Sequence, residues 1–322
     1  MKTWIDFDAA PVFAIPLIDA VGGRTVCEGM LIEGPQGWGE FSPPPGCDVR
    51  SAGRYLTAAI EVGTVGWPDP RRGRVPVAVS VPAVDPERAA TIVADSGCRT
   101  AAVRVDGPLS DVLARLEAVR DALGPYGAIR CDVNGQWDIE TAVSAIPALD
   151  RAAGGAEFVE QPCRTLEDVA VVRRRVGVRI AVDQSITEAA EPLRLPLAES
   201  ADVAVLSVGA LGGVRRALRV AESAAVPCVV AGELGSSIGI AVGLALAGVL
   251  PDTGFAATLG GARLLAGDVV SDARSLIPVD GHLPVAPMPP GPDPARLRQF
   301  PPTGAAMEAR WRALLTAAQA FI

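Results

Sequence analysis

The chain has 322 residues and a formal net charge of 29 − 37 = −8, with 49% hydrophobic and 20% charged residues. That length holds one large α/β barrel or two ordinary domains, and the composition excludes disorder over most of the chain. The acidic balance argues against nonspecific nucleic-acid binding, which needs clustered positive charge.

Lys2 is the one lysine, so the other 28 basic residues are arginine, and His282 is the one histidine. A Ser-His-Asp triad, a His-rich zinc site and a lysine Schiff base each need a residue that is missing or badly placed. Proton chemistry therefore falls to Asp, Glu, Ser, Cys, Arg or metal-bound water. The six cysteines (27, 47, 98, 131, 163 and 228) form no C-x-x-C pair and read as small buried thiols in a reducing compartment. Asp6, Asp8 and Asp19 interrupt the start, so no secretion signal is expected. The longest apolar segment, 238–250, is too short to span a bilayer. The expectation is a cytoplasmic protein with neither membrane nor nucleic acid as a partner.

In chain order, the first 74 residues hold two or three strands, a turn-rich segment at 34–46 and a helix from about 50 to 62. Eight β-branched runs follow: 75–81, 100–105, 128–133, 156–160, 178–183, 202–208, 226–231 and, less clearly, 255–259. They recur at βα-unit spacing. Between them lie amphipathic segments that predict helices at 85–94, 109–123, 139–153, 166–176, 188–198, 214–224 and 237–250. Eight alternating units fit a closed parallel barrel better than an open doubly wound sheet. The tail from Pro284 is proline-rich before a last helix near 305–321. The predicted architecture is a TIM-type barrel at 75–283, with an α+β capping domain formed by 1–74 and 284–322.

Barrel sites lie where the strands end, and three consecutive strands end in a carboxylate: Asp132, Glu160 and Asp183. Their spacings, 28 and 23 residues, are one βα unit each. Neighbouring strands are about 4.8 Å apart, so equivalent ends bring the acids onto one ion. Without a cation they would repel, and a hard divalent ion such as Mg²⁺ or Mn²⁺ removes that cost. The competing reading is that each acid caps the next helix.

The segments Asp132-Val133-Asn134-Gly135, Glu160-Gln161-Pro162-Cys163 and Asp183-Gln184-Ser185 resemble the metal-binding strand ends of the enolase superfamily, and most closely its o-succinylbenzoate synthase branch. Leu31-Ile32-Glu33-Gly34-Pro35, Gly37-Trp38-Gly39-Glu40, Leu211-Gly212-Gly213 and Leu259-Gly260-Gly261 extend the resemblance from about residue 15 to residue 300. It implies a (β/α)7β barrel with a capping domain over its open end. It also implies a metal that holds a substrate carboxylate and stabilises the enolate made by removing the α-proton.

The chain departs from that pattern where the chemistry sits. The resemblance implies a Lys-x-Lys pair where Ala102 and Arg104 stand, and a second lysine where Ser207 stands. Arg104 stays protonated and suits a carboxylate clamp rather than a base. Gln184 replaces an acid after the third ligand, Glu233 stands where a small residue is expected, and Gly235 stands where a carboxylate is expected. Asp106, two residues beyond Arg104, is expected to point the same way. Asp106 and Glu233 are therefore candidate replacement bases beside Arg104 and Ser207, or else solvated loop acids. Gly235, Ser236 and Ser237 at a helix start, with Gly260 and Gly261 on the neighbouring loop, are candidate contacts for an anionic group. Packing turns are the alternative.

Three readings stay open. The first is a metal-dependent lyase or isomerase of the enolase type, acting on a small anionic or carboxylate substrate by a changed reaction. The second is o-succinylbenzoate synthase by descent, with weak activity. The third is a non-catalytic or cyclisation-templating homologue. Oligomeric state is left open.

Overall fold

The computed structural model describes residues 5–322, and Lys2 lies outside them. Three antiparallel strands open the chain: β1 (Val12–Val21), β2 (Arg24–Gly34) and β3 (Gly37–Phe41). The third lies inside the turn-rich segment at 34–46. Helix α1 (Val49–Thr64) follows, begun by Asp48, whose carboxylate accepts from the Ser51 amide at 3.0 Å.

The first barrel run is divided. Residues β4 (Arg74–Pro76) pair antiparallel with a late strand, and β5 (Ala78–Val81) starts the barrel. Alternation then runs through α2 (Pro86–Ser96), β6 (Thr100–Arg104), α3 (Leu109–Leu123), β7 (Ala128–Asp132), α4 (Ile139–Ala152), β8 (Ala156–Glu160), α5 (Leu166–Arg175) and β9 (Ile180–Val182). Local chemistry sets these helix starts. Asp85, Asp138 and Thr165 each accept from a backbone amide three residues on, at 2.8, 2.8 and 3.1 Å.

The single helix expected at 188–198 does not form. In its place are α6 (Gln184–Thr187), a 3₁₀ turn at Pro192–Arg194 and α7 (Leu197–Ser200). Pro192 and Pro196 explain this, because each lacks the amide that a continuous helix needs. The chain continues with β10 (Val203–Ser207), α8 (Val208–Leu211), α9 (Val214–Ala224), β11 (Cys228–Ala231) and α10 (Ser237–Val249).

Seven parallel strands run in the order β5-β6-β7-β8-β9-β10-β11. The expected eighth strand is reduced to isolated bridges, Ala257 with Val77 and Thr258 with Ala231. These still join the two edges: Ala257 exchanges backbone hydrogen bonds with Ala78 and Pro76, both at 2.8 Å, and the Thr258 amide donates to Val230 at 2.8 Å. A large apolar layer lies between strands and helices, and a small cluster including Phe158, Val205 and Val229 fills the barrel below its mouth.

After β12 (His282–Pro284), which pairs with β4, the tail forms α11 (Pro294–Leu297) and α12 (Ala305–Ala318). Trp311 and Leu315 of α12 share a core with Met30, Phe41 and Leu56 from the N-terminal elements. The Trp311 indole donates to Glu28 at 2.8 Å. All six cysteines are free, and only Cys47 is not buried. No helix among the described residues is long and apolar enough to cross a membrane.

Candidate active site

Strand register sets the site. Arg104 is level with Asp132, Asp132 with Glu160, and Glu160 with Ala181. Asp183 lies two residues beyond Ala181 and so faces the same way. Arg104 Nη1 sits 3.0 Å from Asp132 Oδ2. None of the three acids is spent on a helix cap: Asp183 precedes α6 but makes no side-chain cap hydrogen bond.

Burial pushes all three carboxyls up. For Asp132 the Arg104 charge opposes the shift. Glu160 is raised well above its ordinary value by burial and then by Asp132 and Asp183. Asp183 is pushed up to about 8, by burial first, then by Glu233 and Asp132.

The acids have the donor chemistry of a hard-cation site. Asp132 Oδ1 and Asp183 Oδ1 are buried without any hydrogen-bond partner, an expensive condition unless another group satisfies them. Among the described residues no three His, Cys, Asp or Glu side chains form a ready cage. Arg104 pairs with Asp132 at 3.0 Å.

On the other side of the mouth, Ser207 ends β10 and Glu233 follows β11. Ser207 Oγ donates to Glu233 Oε1 at 2.6 Å, and the Tyr55 hydroxyl of α1 donates to the same oxygen at 2.9 Å. Burial, and then the Glu233 charge, keeps the Tyr55 phenol well above its ordinary value, so it remains a donor. Glu233 Oε2 has no hydrogen-bond partner among the described residues.

Several expectations are corrected. Asp106 is exposed, and no hydrogen bond or ion pair among the described residues joins it to Arg104, Asp132 or Glu233. Strand β6 ends at Arg104, so strand alternation does not reach it. Ser236 and Ser237 are not free for an anionic ligand. The Ser236 amide donates to Glu40 Oε2 at 3.1 Å and its hydroxyl donates to the same oxygen. Ser237 donates to Asp268 through amide and hydroxyl. The helix start is thus neutralised by two acids of the protein itself. A Cβ on Gly235 would stand 2.5 Å from Glu40 Oε1, so this glycine makes room for Glu40. Gly260 packs on the Ala78 carbonyl, 2.6 Å from where its Cβ would be, whereas Gly261 faces open space.

Gln161 was not anticipated. Its fully buried side chain accepts from the Asp183 amide at 2.9 Å and donates to the Ser185 hydroxyl at 2.7 Å and the Cys163 carbonyl at 2.8 Å. Its φ of +40° is a costly backbone state held by that bracing. The polar residue after Glu160, at a strand end, was the available signal.

Glu40 gives a pH prediction. Burial pushes its carboxyl from 4.5 up to about 7 against the hydrogen bonds from Ser236 and Ser42. The folded chain holds this proton more tightly than the unfolded chain, so its contribution to stability falls as pH rises from about 4.5 to about 7 and is level above that. Glu40→Gln is expected to reduce the loss of stability between pH 5 and pH 8 by about 2–3 kcal/mol. Urea unfolding of both proteins at the two pH values measures it, and equal pH dependence refutes it.

Fold and site together define a barrel of the enolase type with its capping elements. Residues 85–292 match the enolase C-terminal domain-like family, and residues 12–63 match the enolase N-terminal domain-like family. The chain belongs to the enolase superfamily. It is 53% identical over 277 residues to an o-succinylbenzoate synthase of Thermobifida fusca, covering 85% of this chain and 86% of that protein. It is 43% identical over 290 residues to one of Mycolicibacterium smegmatis, covering 89% and 88%. Among solved structures it resembles the muconate lactonizing enzyme of Pseudomonas fluorescens, with TM-score 0.77 and 21% identity over 92% of this chain and 98% of that one. The L-Ala-D/L-Glu epimerase of Bacillus subtilis gives 0.74 and 20% over 91% and 100%.

Proposed function

We propose that this protein is a divalent-cation-dependent lyase or isomerase acting on a carboxylate substrate through an enolate, by a reaction changed from that of its o-succinylbenzoate synthase relatives. The observation that carries the reading is the pair of groups facing each other across the mouth. On one side a guanidinium lies 3.0 Å from Asp132, and on the other a carboxylate is hydrogen-bonded at 2.6 Å to Ser207.

Asp132, Glu160 and Asp183 would hold Mg²⁺ or Mn²⁺, whose charge lowers the cost of an enolate. Arg104 takes no proton; it offers forked donors to a carboxylate or enolate oxygen. Tyr55 and Ser207 occupy Glu233 Oε1 and fix its orientation, which leaves Oε2 to receive the α-proton. One group serves either outcome: Glu233, carrying the abstracted proton, gives it to a departing β-group, or returns it to the enolate at another carbon or from the other side.

The test is the melting temperature with and without Mg²⁺. A metal-dependent rise is expected, and Asp132→Asn should abolish it. A rise that survives the substitution sinks the ligand assignment. No rise in the unmodified protein sinks the reading as a metal-dependent enzyme.

A further inference from the structure

A cavity adjoins the barrel mouth, between α1 and α10. Ser207, Ala231 and Glu233 face it from the strand ends; Ala58, Val62, Val208 and Val242 are among its apolar walls. Among the described residues, Glu40 and Glu233 are the only acids that line it, and no arginine does.

Every side-chain hydroxyl lining the cavity is already used. Ser207 and Tyr55 donate to Glu233, and Ser42 donates to Glu40 at 2.8 Å. A second carboxylate entering here would meet the Glu233 carboxylate, no cation and no spare serine or tyrosine hydroxyl, and would lose its hydration without replacement. An uncharged apolar group has no such hydration of its own to lose and would bury its surface against alanine and valine.

We infer that this cavity is a specificity pocket for an uncharged apolar group on the carboxylate substrate, and that it excludes a second carboxylate. The inference rests on the proposed reading of the mouth as a carboxylate site. It separates this chain from a binder of o-succinylbenzoate, which carries two carboxylates.

Calorimetry on the Mg²⁺-loaded protein tests it with three ligands that share one core. These are benzoate, o-succinylbenzoate and 2-butanoylbenzoate, in which a methyl replaces the terminal carboxylate. A fourth analogue with a terminal ammonium completes the set. The methyl-ended ligand is expected to bind about tenfold or more tighter than o-succinylbenzoate, and tighter than benzoate.

Val242→Phe on α10 and Ala58→Leu on α1 fill the pocket from opposite walls. Each should remove the gain from the tail while benzoate affinity stays the same, and melting temperatures show which variants fold. Equal or tighter binding of o-succinylbenzoate overturns the inference, as does tightest binding of the ammonium analogue, or a tail gain that survives in the folded variants. Benzoate binding without any tail gain overturns the pocket alone. No benzoate binding and no Mg²⁺-dependent rise in melting temperature overturn the underlying reading and the pocket with it.

Discussion

Arg130→Ala is expected to destabilise the protein by about 3–5 kcal/mol, the range for breaking a buried ion pair by removing one partner. Arg130 is fully buried inside the barrel. Its Nε donates to Glu157 at 2.5 Å, and its Nη1 donates to the Ala256 carbonyl at 2.7 Å and the Thr258 hydroxyl at 3.2 Å. Its guanidinium also lies 4.8 Å from the Phe158 ring centre. Residues 256 and 258 belong to the segment that closes the barrel with only two bridges. Arg130 therefore ties that segment to β7 from within, where backbone pairing is sparse.

The alanine variant loses these bonds, leaves the Glu157 charge without its partner and opens a cavity. Arg130→Met with Glu157→Leu removes both charges and keeps the volume, so it should cost less than the single alanine change. Urea unfolding of the three proteins measures this. A loss below about 1 kcal/mol in Arg130→Ala would show that the closing segment is held by its backbone bridges and not by the arginine.

The barrel and the three strand-end acids were legible in the sequence because both follow from a local period. Each βα unit repeats a β-branched run and an amphipathic helix, and Asp132, Glu160 and Asp183 each close one run. Two of the failures have long-range causes. Ser236 and Ser237 carry every local sign of a helix start open to an anion. Their partners, Glu40 and Asp268, lie 196 and 31 residues away. Tyr55 reaches Glu233 across 178 residues, from an element that the sequence marks only as an amphipathic helix. Asp106 failed for a different reason, since alternation was carried one step past the end of its strand. The helix expected at 188–198 ignored Pro192 and Pro196, a local signal that was present and outweighed by apolar spacing.

Arg104→Lys with Ser207→Lys supplies the two lysines that the family resemblance implies, yet this double variant is expected to gain little o-succinylbenzoate synthase activity. The Ser207 hydroxyl lies 2.6 Å from Glu233 Oε1. A lysine at that position would place its ammonium beside the Glu233 carboxylate and form an ion pair. Such a pair favours the charged form of lysine and so removes it as a base. Adding Glu233→Ala supplies the small residue that the family pattern has here and frees the new lysine. The triple variant should therefore exceed the double by about 10²-fold or more, the usual worth of a positioned acid/base group. Turnover of the unmodified, double and triple forms, each with saturating Mg²⁺, decides the matter. If the double variant matches the triple, Glu233 does not hold the lysine. If the unmodified protein is as fast as either, it already has an effective base for that reaction, and the proposal of a changed reaction falls.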